Sequence, residues 1–127
     1  MEINSINVLV LAYLGDNVYE YYVRKFLIEQ QISNVNQLQQ NAVNYVSASN
    51  QAKFLKQLMD KNFFMDEELD VIRRARNHKC TSHPKSCDIV TYKHATALEA
   101  LIGFLELNKR RDRIEEIMNL ILGGVIC

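Results

Sequence analysis

INVLVLAYLGDNVYEYYVRKFLI, residues 6–28, decides the fold. Apolar residues stand at 6, 10, 14, 18 and 21, but also at 8, 9, 11, 13, 19, 22 and 23. A helix greasy on nearly every face belongs at the centre of a bundle or against a partner subunit. Ser5 is the N-cap that the sequence offers it. Working outward, Ser33–Asn34 cap a short helix over roughly 35–45, and Ala48 to Asp60 reads as another with Phe54, Leu55 and Leu58 inward. Asp66 begins a helix that is acidic in its first turn (Glu67, Glu68) and basic near its end (Arg73, Arg74, Arg76), as the helix dipole prefers. A loop around Pro84 spans 78–90, a second apolar helix runs over 92–107, and an amphipathic one closes the chain over 110–122. Four Gly and one Pro leave little material for the turns of an all-β fold. The expected class is all-α.

The 127 residues make one domain, 1–127, long enough to bury a core, with no internal repeat or linker. Every stretch of about 18 residues carries charge, so none reads as a membrane span. The start of the chain lacks the basic segment, apolar run and cleavage site of a secretory leader. Three cysteines, one of them the last residue, are a poor disulfide framework, which points to a reducing, cytoplasmic location. A net charge of zero argues against a nucleic-acid partner, but the distribution argues the other way. Residues 71–94 hold Arg73, Arg74, Arg76, Lys79, Lys85 and Lys93 against Asp88 alone, a net +5, while the rest of the chain carries −5. All three histidines fall in the same window. The segment reads equally as a solvated charged loop or as a polyanion site.

The chemistry is suggested by what interrupts the two greasy helices. Asp16 is the only acid between Glu2 and Glu20, and Glu99 the only charged residue between Lys93 and Glu106. Burying an ionised carboxylate without a partner costs several kcal/mol, so both need a cation or a dense set of hydrogen bonds. An internal salt bridge, with Arg24 or a loop arginine, is the ordinary explanation for one such acid. Two of them on two core helices favour a shared hard cation, and carboxylate oxygens suit Mg²⁺. Glu20 shares a helix face with Asp16 and is available as an outer acid. Each helix also has a glycine at mid-length, Gly15 and Gly103. Mid-helix glycine is unfavourable by roughly 1 kcal/mol relative to alanine, so close helix–helix approach is the expected reason for it. That approach would bring Asp16 and Glu99 together.

These residues also carry a resemblance. LAYLGDNVYE (11–20) is similar to the signature helix of the ribonuclease III family, in which a Gly-Asp interrupts an apolar helix. TALEALIGFLEL (96–107) resembles the family's second motif, a Glu followed by Ala-Leu-Leu/Ile-Gly. RRARNHK, the Pro84–Lys85 pair and DIVTYKHATALEALIGFL resemble the Mini-ribonuclease III subfamily, a catalytic domain without the appended double-stranded-RNA-binding domain. The resemblance implies a single ribonuclease III endonuclease-type helical domain and Mg²⁺-dependent cleavage of double-stranded RNA. It gives Asp16 and Glu99 the roles of catalytic, metal-binding carboxylates. It further implies a homodimer whose two sites face opposite strands, and the stalk of precursor 23S ribosomal RNA as substrate. Ala12 and Thr96 stand where longer ribonuclease III enzymes have acids, a departure that the subfamily shares. Arg73, Arg74, Arg76, Lys79 and Lys85 are the candidate contacts to RNA phosphates, although Arg73 has Asp66 and Asp70 as nearby partners.

Other readings compete. His78, Cys80, His83 and Cys87 are four possible zinc ligands, but their spacing is not that of common fingers. A di-iron bundle needs Glu-x-x-His pairs, and none occurs. A cysteine nucleophile in an exposed loop has nothing to fix it. The stronger alternative is a ribonuclease-III-like fold kept as a non-catalytic RNA-binding or ribosome-associated module, which Ala12 and Thr96 favour and the retained Asp16 and Glu99 oppose. Lys109, Arg110, Arg111 and Arg113 read as a solvated helix start rather than as RNA contacts.

Overall fold

A computed structural model describes residues 2–79 and 88–123. Six α-helices follow a short 3₁₀ turn at Ile3–Ser5: α1 (Val8–Glu29), α2 (Val35–Val46), α3 (Ala48–Asp60), α4 (Asp66–Asn77), α5 (Ile89–Leu107) and α6 (Arg111–Leu122). No strand occurs among the described residues, as the all-α expectation requires.

The two greasy helices take different places. α5 is the axis: Ala95–Leu98 and Ala100–Leu105 are all buried, and α1, α3 and α4 pack around it. α1 buries one stripe only, Val8, Leu11, Ala12, Gly15, Tyr19, Val23 and Leu27. Val18, Tyr22 and Phe26 pack partly buried at its edges, while Leu9, Val10, Tyr13, Tyr21 and Ile28 face outward. Glycines set how closely the two helices cross. A Cβ on Gly15 would lie 1.7 Å from the carbonyl oxygen of Glu99, and one on Gly103 would lie 1.9 Å from that of Leu11. Backbone therefore touches backbone, and the expected reason for two mid-helix glycines holds.

Helix boundaries follow from local chemistry. Asn7, not Ser5, caps α1, its side chain accepting the Leu9 N–H at 2.7 Å, because the 3₁₀ turn has already consumed Ser5. Asn34 caps α2, Ser47 caps α3, and Asp88 caps α5 by accepting the Thr91 N–H at 2.8 Å. With that cap, α5 begins three residues before the expected position 92 and shortens the loop. Gln31, Asn62 and Lys109 follow α1, α3 and α5 in left-handed conformation with φ of 65°, 54° and 59°. Each allows the next N–H to close back on the last turn, as Arg110 does to the Leu105 carbonyl at 2.8 Å.

The smaller helices are pinned by polar contacts. The Tyr19 hydroxyl donates to the Tyr45 carbonyl at 2.6 Å, and the Tyr45 ring stacks on Phe54, so α2 rides on α1 and α3 without burying a residue of its own. Arg113 is buried, not part of a solvated helix start. Its guanidinium donates to both Glu68 oxygens at 2.7 and 2.8 Å and to the Phe63 carbonyl at 2.9 Å, tying α6 to α4. Arg110 and Arg111 are surface residues paired with Asp112 and Glu106.

Candidate active site

The glycine crossing creates the site. Gly15 rests on the Glu99 carbonyl, so the residue after it, Asp16, emerges beside the Glu99 side chain. Asp16 and Glu99 share the wall of an open cleft of about 400 Å³ with Leu9, Ala12, Tyr13, Tyr92 and Thr96. Ala12 and Thr96 are buried in its floor, at 7% and 5% exposure, so the two positions that lack an acid are filled by short, packed side chains.

Asp16 is exposed and Glu99 half-buried, which corrects the expectation of two acids sunk in apolar helices. Asp16 stays exposed because the cleft that it shares with Tyr92, Thr96 and Glu99 of α5 is open to solvent. The Glu99 carboxyl is pushed up to about 8, first by burial, then by hydrogen bonding and charge repulsion from Asp16, with a small addition from Glu20. One group opposes the shift: Gln51 of α3 donates from Nε2 to Glu99 Oε2 at 3.5 Å. The internal salt bridge is not made. Arg24 binds Glu20 at 2.9 Å, and no described Lys, Arg or His forms an ion pair with Asp16 or Glu99. Two carboxylates thus meet without a cation from the described protein.

Such a donor set fits a hard divalent cation, whose charge would relieve the repulsion that raises Glu99. It is a sparse set. Among the described residues no three His, Cys, Asp or Glu converge, and Glu20 is held by Arg24. Of the four zinc candidates, Cys80, His83 and Cys87 lie outside the described residues, while the His78 ring sits on the Ala75 carbonyl.

The basic residues divide. Arg73 and Arg74 both reach Asp70, at 2.7 and 3.3 Å, and Arg74 also donates to the Asn4 carbonyl. Arg76 and Lys79 are exposed, and Lys85 lies outside the described residues. Arg76 borders a cleft of about 560 Å³ with Lys53 and Lys56 of α3 and His94 of α5. Sequence reading missed both lysines and Gln51. Nothing on α3 marks them, because their significance comes from α5 packing against that helix and from Arg76 of α4 bordering the same cleft.

Comparison with known proteins agrees with this fold. The description of the ribonuclease III domain matches residues 9–110, which include both carboxylates and the whole crossing. The Mini-ribonuclease 3 of Staphylococcus aureus is 43% identical over 120 residues, 94% of this chain and 90% of that protein. That of Brevibacillus brevis is 48% identical over 115 residues, 91% of this chain and 84% of its own length. A crystal structure of a Fusobacterium nucleatum protein superposes with a TM-score of 0.85 at 33% identity, covering 97% of each chain. The chain belongs to the ribonuclease III domain family. Its activity class is that of an endoribonuclease, and the relatives that it resembles along nearly its whole length are Mini-ribonucleases 3.

Proposed function

We propose that this chain cleaves double-stranded RNA with Mg²⁺ held by Asp16 and Glu99. The observation that carries the reading is the pairing of these two carboxylates at the glycine crossing with no protein cation to neutralise them. Mg²⁺, when bound, supplies an activated water and neutralises charge developing on the phosphate. Asp16, exposed on α1, presents its oxygens to the mouth of the cleft, while Glu99, held from α3, defines the depth of the site. Because the chain would supply only two acids, the remaining ligands would have to be waters or RNA phosphates, which Mg²⁺ tolerates. Arg73, Arg74, Arg76, Lys79 and Lys85 contact phosphates. Arg76 and Lys79 carry most of that work, since Asp70 already engages Arg73 and Arg74.

The biological form is a cytoplasmic homodimer that matures precursor 23S ribosomal RNA. Leu9, Val10 and Tyr13 are 44%, 58% and 85% exposed on the part of α1 next to Asp16. An apolar surface there suits a second protomer, whose own cleft would then face the opposite strand of one duplex. No described helix is long and apolar enough to cross a membrane. The test is cleavage of a precursor 23S stalk duplex by the purified chain with Mg²⁺ and with chelator, alongside its mass in solution. Staggered cutting by a dimer supports the reading; an active monomer would overturn the paired-site arrangement.

A further inference from the structure

Four polar or charged residues are buried in the described structure: Gln51, Glu68, Thr96 and Arg113. Glu68 and Arg113 satisfy each other, and Thr96 floors the cleft. Gln51, 3% exposed on α3, has Glu99 as its side-chain partner. Burying an amide costs free energy unless it is hydrogen-bonded, and an apolar residue would fill this space without that demand. The amide type is informative. A lysine or arginine here would close an ion pair with Glu99 and take the place of an external cation. Another acid would add to the repulsion from Asp16. An apolar side chain would leave the terminal torsion of Glu99 unrestrained, and that torsion is intrinsically broad. A neutral N–H donor holds Oε2 without cancelling the charge that Glu99 presents beside Asp16.

We propose that Gln51 is a positioning residue of the metal site, orienting the Glu99 carboxylate from behind so that it meets a divalent cation beside Asp16. The proposal rests on the reading of Asp16 and Glu99 as the metal-binding pair. Outer partners of metal-binding side chains act this way in general, and losing one weakens metal affinity by about 10–100-fold.

The test uses the full-length protein without RNA and reads Mn²⁺ binding by electron paramagnetic resonance, with melting temperature in chelator measured beside it. Gln51→Leu should keep the fold and weaken Mn²⁺ binding about tenfold. Gln51→Asn, which keeps the amide but shortens its reach, should weaken it in the same direction and carries the test if the leucine variant does not fold. Duplex cleavage by either variant should fall at limiting Mg²⁺ and recover towards the parent rate as Mg²⁺ is raised. A lowered melting temperature with unchanged Mn²⁺ affinity would make Gln51 a packing residue and overturn the proposal. Asp16→Asn is the control that separates the two levels. If it abolishes Mn²⁺ binding while the Gln51 variants bind normally, the positioning role alone fails. If it too binds Mn²⁺ normally, the metal-pair reading fails with it.

Discussion

Glu68 and Glu99 are enclosed by the same bundle, and the bundle treats them in opposite ways. Glu68, 3% exposed, accepts two hydrogen bonds from Arg113 and one from the Met65 N–H at 2.9 Å. The fold completes that carboxylate, and the pair closes the α4–α6 corner. Glu99 receives one long bond from a neutral amide and faces a second acid. The fold leaves that carboxylate incomplete. An acid with its cation built in is a structural device; an acid pair without one is complementary to something that arrives from outside.

The comparison is broken most directly by neutralising each acid in turn. Asp16→Asn or Glu99→Gln should leave the helical content unchanged and lower duplex-RNA cleavage on the order of 10²–10⁴-fold, the loss of several kcal/mol of charge stabilisation. Partial recovery of Glu99→Gln at raised Mg²⁺ would mark a metal role rather than a proton-transfer role. Either variant cutting at the parent rate would make that acid a structural one. Arg113→Met should act on the other side of the ledger of roles, destabilising the chain by roughly 3–5 kcal/mol because Glu68 is left buried and charged. Denaturant melts measure this, and joint replacement of Arg113 and Glu68 by apolar residues should recover much of the loss. Cleavage per folded molecule should not change. If Arg113→Met impairs cleavage in proportion to its folded population and further, the two acids are coupled and the contrast between them is false.

Sequence made one of these acids conspicuous and hid the other. Glu99 stands alone in an apolar run, and periodicity places it on the axis helix. Glu68 sits in an acidic first turn, where a carboxylate needs no explanation beyond the helix dipole. Arg113 belongs to a run of surface-like charges, and its partner lies 45 positions away. Helical period reports which faces are apolar but not which helix covers them, so long-range polar pairs were illegible. Helices α2, α3, α4 and α6 emerged within a residue or so of their expected limits, because caps and turns are local. The glycine crossing was also legible, since a mid-helix glycine signals backbone contact whatever the partner. The exposure of Asp16 was not, because α1 is apolar on the side that the chain itself leaves uncovered.

Gly103→Ala sharpens the contrast by separating the acids without touching either. Its Cβ would collide with the Leu11 backbone carbonyl, and backbone cannot swing aside as a flexible side chain can. Overpacking of this kind destabilises by about 1–3 kcal/mol, and a backbone obstacle puts the variant at the upper end. Because α1 and α5 must part, cleavage should fall beyond what lost stability explains, whereas the Glu68–Arg113 corner should survive. Native activity from a stably folded Gly103→Ala chain would show that the acid pair does not depend on the crossing.

The smallest expected effect lies in the pH dependence of the metal-free protein. Unfolded, Glu99 titrates near its ordinary value of 4.5; folded, burial and Asp16 push it up to about 8. Below pH 4.5 both states hold the proton, and its stabilising contribution is fully present. Between 4.5 and about 8 the native state keeps a proton that the unfolded state has lost, so stability declines as pH rises and levels off above 8. The slope should be shallower than the roughly 1.4 kcal/mol per pH unit of one fully differential proton, since the cleft is open to water. Glu99→Gln removes the titrating group, so the difference between parent and variant isolates this contribution from every other group. Mg²⁺ requires the ionised carboxylate and should raise the melting temperature little at pH 6 and clearly more above pH 8. Glu68, already neutralised by Arg113, offers no such metal response. Melting curves of parent and Glu99→Gln measured across pH 5–9, in chelator and in Mg²⁺, decide the matter. If the two proteins run parallel in chelator and respond alike to Mg²⁺, Glu99 is no less complete than Glu68.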